Sequence, residues 1–372
     1  MTPAQSFLTD LLSKADIRVN GSRPWDIQVR DERLFSRVLA KRNLALGEGY
    51  MRGWWECERV DEFIHRVLHS GVANRVHGGW KLLLRALPAL LINQQTKRRS
   101  RQVALKHYDL GNDLFQAFLD PHMQYSGADF RSTDQLNAAQ EAKMRLLCEK
   151  LELRPGLRLL DIGCGWGGLA RFAAANYGCE VVGVNISRQQ ISFARRFCEG
   201  LPVEIRECDY RNLNEQFDRV VSVGMFEHVG PRNYDTYMRA VARCLKPDGV
   251  FVLQTIGSNV SQKGCDPWIT RYIFPNGNLP GTSLLARAAE PHFVMEDWQN
   301  LGPHYDRTLL CWLENFRSAW PQLKERYGET FRRMWEYYLQ SCAGCFRARD
   351  IQLWQVVFTP KGAPQPTYCR SA

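Results

Sequence analysis

The sequence predicts an α/β fold: a parallel sheet with helices on both faces, preceded by a small α+β N-terminal domain and completed by a helical cap. Strand-like and helix-like stretches alternate from about residue 140, which is typical of a parallel sheet. A glycine-rich segment, Leu159–Gly168, follows the first of these strands and opens a helix. The length of 372 residues suits two domains.

The first ninety residues predict a mixed domain, which we assign to residues 1–92. Short strands are expected over Asp16–Asn20 and Asp26–Val29, separated by the turn signal Asn20-Gly21-Ser22. Tyr50, Trp54 and Trp55 are expected to form a corner of its core rather than a ligand site. Helical spacing is found over residues 4–14, 31–42 and 60–72.

The segment from Phe63 to Tyr108, here called the basic segment, contains no acidic residue. Its apolar stretch is too short to span a bilayer and is followed by a basic linker, residues 93–106, which favours an anionic membrane surface. A plain packing helix and a nucleic-acid contact are the alternatives, but no nucleic-acid-binding motif accompanies the segment. Its nine basic residues are Arg66, Arg75, Lys81, Arg85, Lys97, Arg98, Arg99, Arg101 and Lys106.

The predicted catalytic domain, residues 107–372, carries the α/β pattern. Helices are expected over 168–176, 187–199 and 233–245, and an aromatic-rich helical stretch over 306–343. That stretch lies between the last two strands, where it would cap the carboxyl edge of the sheet. The expected strands are Arg158–Ile162, Glu180–Asn185, Val203–Cys208, Phe217–Val223, Gly249–Thr255, Phe293–Leu301 and Ile351–Thr359.

The glycine-rich segment reads LLDIGCGWGG and indicates a nucleotide-type ligand. Gly163 and Gly165 permit a tight turn, and the helix that follows offers free backbone amides. The next strand ends at Asn185 rather than at an acid for ribose hydroxyls, and the third ends in Asp209-Tyr210, where a carboxylate could accept an adenine amino proton. Asp161 within the loop, together with Asp209, favours S-adenosylmethionine over a nicotinamide cofactor.

Composition excludes several classes of protein. With 45% hydrophobic and 24% charged residues the chain is typical of a folded protein, and it has no apolar run long enough for a transmembrane helix. The first twenty residues lack the apolar core of a secretory signal, so we expect a cytoplasmic protein. The twelve cysteines are expected to be reduced and mostly buried, although Cys342 and Cys345 could form a redox pair or half of a zinc site.

Several further motifs resemble the cyclopropane-fatty-acyl-phospholipid synthases, which are related to the mycolic acid cyclopropane synthases. The resemblance covers nearly the whole chain and implies a class I S-adenosylmethionine-dependent methyltransferase with a Rossmann-like sheet. The motifs, besides the glycine-rich segment, are GEGYMRGWWEC (47–57), HYDLGNDLF (107–115), MQYS (123–126), GMFEHVG (224–230), DPWITRYIFPNG (266–277) and FRARDIQLWQVVF (346–358).

The resemblance implies transfer of a methylene from S-adenosylmethionine to a cis double bond of a phospholipid acyl chain, with bound bicarbonate taking the proton. The family's bicarbonate site matches Glu227, Tyr305 and the backbone of Ile256. At its two other positions this sequence departs from the family pattern. Gly127 replaces a Cys whose backbone amide makes the contact, so this change should be tolerated. Gln254 replaces a His; an amide can donate a hydrogen bond but does not titrate near neutral pH.

The resemblance also assigns the remaining candidate residues. Cys342 matches the family's proposed active-site cysteine, although the chemistry needs no thiol. The carbocation and acyl chain are expected beside Trp268, Tyr272, Phe274 and Glu296, with Tyr305 as a further aromatic face. The S-adenosylmethionine site is expected to comprise His107, Tyr108, Asp109, Asn112, Tyr125, Ser126, Asp161, Gly163, Gly165, Gly167, Asn185, Ile186, Gln190, Asp209 and Tyr210.

The expected partners are a phospholipid bilayer and a second copy of the chain, with no nucleic acid. We expect peripheral association with the inner face of the cell membrane, and the homodimer follows only from the resemblance. Three alternatives stay open. One is a methyltransferase of the same fold that stops after methyl transfer, on an amine or a lipid, and another is a close relative that makes a methylated or hydroxylated chain from the same cation. The third is a catalytically silent lipid-binding protein. The intact glycine-rich segment, Glu227 and Tyr305 argue against the silent alternative.

Overall fold

The structure is a computed structural model that describes residues 1–75, 111–260 and 265–370. The described helices are α1 Pro3–Ser13, α2 Arg33–Lys41, α3 Asn43–Met51, α4 Val60–His69, α5 Val72–Arg75, α6 Asn112–Phe118, α7 Leu136–Lys150, α8 Gly168–Tyr177, α9 Arg188–Phe197, α10 Tyr234–Cys244, α11 Pro267–Tyr272, α12 Thr282–Ala289, α13 Gly302–Arg347 and α14 Thr367–Arg370. The described strands are β1 Gln28–Val29, β2 Trp55–Glu56, β3 Arg158–Ile162, β4 Glu180–Asn185, β5 Val203–Glu207, β6 Phe217–Val223, β7 Leu245–Gly257, β8 Phe293–Asn300 and β9 Gln352–Pro360.

The described residues fall into two compact units, each built from three stretches of the chain. The first contains the described residues of Met1–Asn93, Cys265–Pro275 and Asp306–Ile351. The second contains those of Gln94–Gly264, Asn276–Tyr305 and Gln352–Ala372. The predicted domain boundaries at residues 92 and 106 lie outside the described residues and stay predictions.

A seven-stranded sheet in the order β5-β4-β3-β6-β7-β9-β8 forms the second unit. The first five strands of that order are parallel, whereas β9 runs antiparallel to both β7 and β8. Successive side chains on a strand point to opposite faces. Accordingly Leu160 packs in the core on the side of α10 and α12, and Leu159 in the core on the side of α7 and α8. The predicted α/β class is confirmed.

The core of the first unit contains Tyr50 and Trp55, two of the three aromatic residues predicted to form a core corner, whereas Trp54 is only partly buried. Trp55 is fully buried, packs against Tyr50 and Tyr337 at ring-centroid distances of 5.2 and 6.3 Å, and donates a hydrogen bond to the Leu46 carbonyl at 2.9 Å. Helix α13 contributes Tyr337 to this core. Its helical path is interrupted at Gly328, where φ is 73°.

One predicted strand near the N-terminus is wrong. Between Asp16 and Asn20 both end residues have positive φ, and only Val19 forms an isolated bridge, to Ile27. Turn chemistry explains the difference, because the Arg23 guanidinium binds the Asp16 carboxylate at 2.6 Å and ties the segment into a loop. The second predicted strand is reduced to Gln28–Val29, which pairs with β2.

No helix among the described residues has both the length and the hydropathy of a membrane span.

Candidate active site

The glycine-rich turn joins β3 to α8 at the carboxyl edge of the sheet. The amides of Gly163 and Cys164 both donate to the Val184 carbonyl, at 2.9 and 3.2 Å, which folds the turn over the end of β4. Gly165 has a φ of 55°, and a Cβ added there would meet no atom of the described residues within 4 Å. The turn therefore presents accessible backbone next to a helix N-terminus, as binding of a nucleotide-type ligand requires.

Residues 112–126 pack against this turn. The Trp166 indole N–H donates to Asn112 Oδ1 at 2.9 Å, and the Phe115 ring lies 4.7 Å from Trp166 and 5.2 Å from Tyr125. The Gly168 backbone lies so close to the His122 carbonyl that a Cβ on Gly168 would be 1.8 Å from its oxygen. The structure thus brings the predicted Asn112 and Tyr125 to the glycine turn, and Ser126 follows Tyr125 in the chain. His107, Tyr108 and Asp109 lie outside the described residues.

Lys143, which sequence reasoning missed, anchors this segment from α7. Its side chain is fully buried and donates to Ser126 Oγ at 3.0 Å and to Gln124 Oε1. Burial lowers the pKa of Lys143 to about 8, although nearby Asp120 and Asp161 oppose that shift. The signal in the sequence is a lysine close to apolar residues, with Met144 next to it and Leu147 four positions later.

Asp161, predicted from the glycine motif, is buried at the end of β3. Burial raises its pKa to about 7, and Lys143 partly opposes this effect. A buried carboxyl with this pKa ionises more readily when a cation binds beside it, because opposite charges favour the ionised form. S-adenosylmethionine carries such a positive charge on its sulfonium.

The ends of β4 and β5 hold the other predicted S-adenosylmethionine residues. Asn185 Nδ2 donates to the Gly165 carbonyl at 3.2 Å and to Gln190 Oε1 at 2.9 Å, while its Oδ1 accepts from the Ile186 amide at 2.7 Å. The structure therefore brings Asn185, Ile186 and Gln190 to the glycine turn. Through these hydrogen bonds the uncharged Asn185 side chain connects the glycine turn to the start of α9.

Asp209 lies one residue beyond Cys208, whose amide donates to the Asn185 carbonyl at 3.0 Å. Its carboxylate pairs with the Arg211 guanidinium at 2.6 Å and accepts from the Arg211 amide at 3.0 Å. Tyr210 begins the short 3-10 helix Tyr210–Asn212 and is buried. Both residues are therefore next to the β4 edge, with the carboxylate already held by a cation.

A second group of polar side chains forms where β6 ends before β7. The last backbone hydrogen bond after β6 runs from the Gly224 amide to the Gln254 carbonyl of β7 at 2.9 Å, whereas β7 itself continues to Gly257. The Ile256 amide consequently has no β6 partner and donates to Glu227 Oε1 at 2.6 Å. Glu227 comes from the short 3-10 helix Phe226–His228 and is buried.

The pKa of the Glu227 carboxyl lies near neutral pH. Burial raises its pKa to about 7, although the hydrogen bond from the Ile256 amide acts in the opposite direction. The Thr255 hydroxyl also lowers this pKa, but it donates its own proton to the Ile256 carbonyl at 3.1 Å. Glu227 Oε2 is therefore buried without a hydrogen-bond partner among the described residues. Burial lowers the pKa of adjacent His228 to about 4, so its imidazole is neutral.

Gln254, two residues before Ile256, is fully buried in β7. Its Oε1 accepts from Gln355 Nε2 of β9 at 2.9 Å, and its own Nε2 has no partner among the described residues. Residues two apart on a strand share a face, so Gln254 and Ile256 point to the same side of the sheet.

Tyr305 and Gly127 meet this group through Leu353, the β9 residue paired with Ile256. A Cβ on Gly127 would lie 2.6 Å from Leu353 Cδ2 and 2.9 Å from Tyr305 Cγ. A side chain at position 127 would therefore require Leu353 and Tyr305 to shift, whereas glycine fits beside them as they stand. The five residues predicted for an anion site, which are Gly127, Glu227, Gln254, Ile256 and Tyr305, all lie around this end of β7.

Glu296 is not brought to this group. It lies at an irregularity of β8 between the pairs Met295↔Phe358 and Asp297↔Val357, and its Oε1 accepts from Thr359 Oγ1 at 2.7 Å. Leu353 is four residues from Val357 along β9, a separation of about 13 Å in an extended strand.

The other predicted substrate residues belong to the first unit. Trp268 is buried against Tyr337 at 4.7 Å, and the Tyr272 hydroxyl donates to Glu48 Oε1 at 3.0 Å. Phe274 packs edge-on against Tyr338 at 5.9 Å. Their contact with an acyl chain stays a prediction.

Cys342 also belongs to the first unit, close to Cys345, Cys265 and Asp266. Burial and these neighbours raise the pKa of the Cys342 thiol well above its usual value, so the thiol is protonated at neutral pH. No disulfide joins cysteines of the described residues, and those residues contain no cluster of three or more side chains that could hold a metal ion.

Known proteins share both the sequence and this architecture. The family model for mycolic acid cyclopropane synthetase matches residues 94–356. The cyclopropane-fatty-acyl-phospholipid synthase of Escherichia coli (strain K12) is 57% identical over 350 residues, which cover 94% of this chain and 92% of the relative.

Among solved structures, the cyclopropane synthase MmaA2 from Mycobacterium tuberculosis has a TM-score of 0.65 and 33% identity, covering 69% of this chain and 97% of that one. The mycolic acid cyclopropane synthase CmaA1 complexed with SAH and CTAB has the same TM-score and coverage, with 32% identity. The chain therefore belongs to the mycolic acid cyclopropane synthetase family and is an S-adenosylmethionine-dependent methyltransferase of the cyclopropane-fatty-acyl-phospholipid synthase type.

Proposed function

We propose that this chain converts a cis double bond in an unsaturated phospholipid acyl chain into a cyclopropane ring, with S-adenosylmethionine as the methylene donor. The observation that carries the proposal is the buried Glu227 carboxyl on the Ile256 amide, on the same unit as the glycine turn. Identity to the Escherichia coli synthase over nearly the whole chain supports the same assignment.

The reaction makes two carbon–carbon bonds. The alkene electron pair attacks the methyl carbon of the donor, the carbon–sulfur bond breaks and the sulfur leaves as neutral S-adenosylhomocysteine. The second alkene carbon becomes a cation, the new methyl group loses a proton, and the released electron pair closes the ring. Because an alkene is a weak nucleophile, the site must hold it dry and aligned with the sulfonium.

The residues around the end of β7 fit bicarbonate as the bound base. Two buried polar atoms, Glu227 Oε2 and Gln254 Nε2, lack partners among the described residues. With a pKa of about 7, a protonated Glu227 can donate to an anion, and Gln254 Nε2 is a donor by nature. When bound, bicarbonate would supply the acceptor for the methyl proton. The Tyr305 hydroxyl and the Gly127 and Ile256 amides are the further donors that the resemblance assigns, although the Ile256 amide donates to Glu227 in the structure.

Peripheral membrane attachment is part of the proposal, because the reacting double bond lies within the bilayer. The basic segment is the proposed dock, and most of it lies outside the described residues. Each cation near an anionic surface contributes about 1 kcal/mol, which salt then screens. We further propose a homodimer on the inner face of the cell membrane, without a nucleic-acid partner.

Purified protein incubated with S-adenosylmethionine and unsaturated phospholipid vesicles tests the function directly. Mass spectrometry should show a gain of one CH2 with loss of the alkene. A branched or unsaturated methyl product would instead indicate an enzyme that stops after methyl transfer, and no product with retained lipid binding would indicate a silent lipid-binding protein.

Donor binding has a separate test at the glycine turn. We expect Gly165→Val to abolish S-adenosylmethionine binding measured by calorimetry, since a branched side chain on this left-handed turn strains the backbone and covers it. Unchanged binding would contradict the placement of the donor.

A further inference from the structure

Gln254 and Gln355 form a buried pair of amides across β7 and β9. They are register partners in the antiparallel ladder, and neither side chain is exposed. One hydrogen bond joins them, from Gln355 Nε2 to Gln254 Oε1 at 2.9 Å. The remaining polar ends, Gln254 Nε2 and Gln355 Oε1, have no partner among the described residues.

In the structure this bond engages the oxygen of Gln254 and leaves its NH2 group for a ligand. A side-chain amide has an acceptor end and a donor end, and rotation by 180° exchanges them. Because Gln355 occupies the oxygen of Gln254, the NH2 group of Gln254 is the end left without a partner. Gln254 shares its sheet face with Ile256 and Leu353, and Leu353 lies beside Gly127, so this donor belongs to the proposed anion site.

We propose that Gln355 is a positioning residue that holds Gln254 as a hydrogen-bond donor to the anion in this site. The inference rests on the proposed bicarbonate site and adds a residue to it. A histidine at position 254 could donate through protonation of its ring. An uncharged glutamine donates only when its amide is oriented correctly, and Gln355 supplies that orientation.

The test is the dissociation constant for bicarbonate, measured by calorimetry on the full chain saturated with S-adenosylhomocysteine. Gln355→Met keeps the approximate size but cannot donate, so the Gln254 amide loses its fixed orientation. We expect affinity to fall by about fivefold to tenfold, the worth of one ordinary hydrogen bond. Gln355→Glu offers an acceptor to the Gln254 NH2 group and should weaken binding more than Gln355→Met does.

Gln352→Glu is the matched control. It makes the same chemical change three residues earlier on β9, on the opposite face of the strand, where the Gln352 oxygen already accepts from Asn300 at 3.0 Å. Its bicarbonate affinity should equal that of the unmodified protein. In turnover assays the Gln355 variants should raise the KM for bicarbonate with little change in kcat at saturation, which general damage to the fold would not produce.

A double-mutant cycle shows whether Gln355 acts through Gln254. In the Gln254→Leu background, Gln355→Met should cause no further loss of affinity; an additive loss would overturn the inference. If the unmodified protein binds bicarbonate and Glu227→Gln weakens that binding while Gln355→Met does not, the positioning role fails alone. If the unmodified protein binds no bicarbonate, the anion site and the positioning role are both overturned.

Discussion

Replacing Glu227 with glutamine should remove a loss of stability that the parent protein suffers as the pH rises towards 7, and it should also remove the activity. The carboxyl is buried, and its pKa is raised from 4.5 to about 7. The native state therefore holds this proton more tightly than the unfolded chain does. Stability is consequently lost as pH rises between these two values, and the loss is complete above the native pKa.

The size of the effect follows from the same pKa change. At about 1.4 kcal/mol for each pH unit, burial of the ionised carboxylate costs about 3 kcal/mol. Glutamine keeps an oxygen that can accept from the Ile256 amide but never ionises. The free energies of unfolding of variant and parent should therefore diverge by about 3 kcal/mol between pH 4.5 and pH 8. Asp161, whose pKa is also raised to about 7, contributes equally to both proteins and cancels.

Urea denaturation at half-unit pH intervals measures this divergence. A pH-independent change in the free energy of unfolding caused by the new amide does not affect the test, because only the change of that free energy with pH is compared. Glu180→Gln is the matched control, since its exposed carboxyl has no burial to relieve. Parallel stability curves for Glu227→Gln and the parent would refute the argument that this carboxyl is held in a desolvated site.

Three further predictions follow from the described contacts and the sequence. Gly168→Ala should lower the melting temperature more than Gly165→Ala does, and it should weaken S-adenosylmethionine binding at least tenfold. The reason is that a Cβ on residue 168 would meet the His122 carbonyl, whereas a Cβ on residue 165 would meet no described atom. Equal melting temperatures of the two variants would contradict this. Gln254→His should stay active and bind bicarbonate more tightly than the parent in calorimetry, and complete loss of activity would show that the site depends on the amide. In the basic segment, replacing Lys97, Arg98, Arg99 and Arg101 with Glu should weaken sedimentation of the protein with anionic vesicles at low salt. Activity on detergent-dispersed lipid should be retained. Unchanged sedimentation would show that the membrane contact lies elsewhere in the protein.

The strands of the parallel sheet could be predicted closely from the sequence. Those over Arg158–Ile162, Glu180–Asn185 and Phe217–Val223 have the predicted bounds, because short apolar runs between turns favour a buried strand. Alternation alone does not give direction, so the antiparallel course of β9 against β7 became visible only in the structure. The failed strand at Asp16–Asn20 shows local charge pairing overriding a strand-like pattern.

The candidate site was predicted less completely. Glycines and strand-end residues such as Asn185 follow from motif and topology, and Glu227 followed from the resemblance. Lys143 and Gln355 were missed because a polar residue in an apolar stretch reveals its partner only in three dimensions. Glu296 was assigned as a substrate residue from the resemblance; the register of β8 places it away from the Glu227 group, and its contact with an acyl chain stays a prediction.

The composition of the first unit has a consequence for how the chain folds during synthesis. Trp55 packs against Tyr337, and the Asp61 carboxylate pairs with Arg347 at 2.8 Å. These two residues near the start of the chain therefore have contacts with residues almost 290 positions later in the sequence. Closing so long a loop carries an entropic cost and slows folding. While the first ninety residues emerge from the ribosome, Trp55 lacks the Tyr337 ring and Asp61 lacks the Arg347 guanidinium, although Tyr50 and Arg59 are already present beside them. The apolar surface of Trp55 that packs on Tyr337 therefore stays exposed until α13 is made, which favours aggregation of the nascent chain.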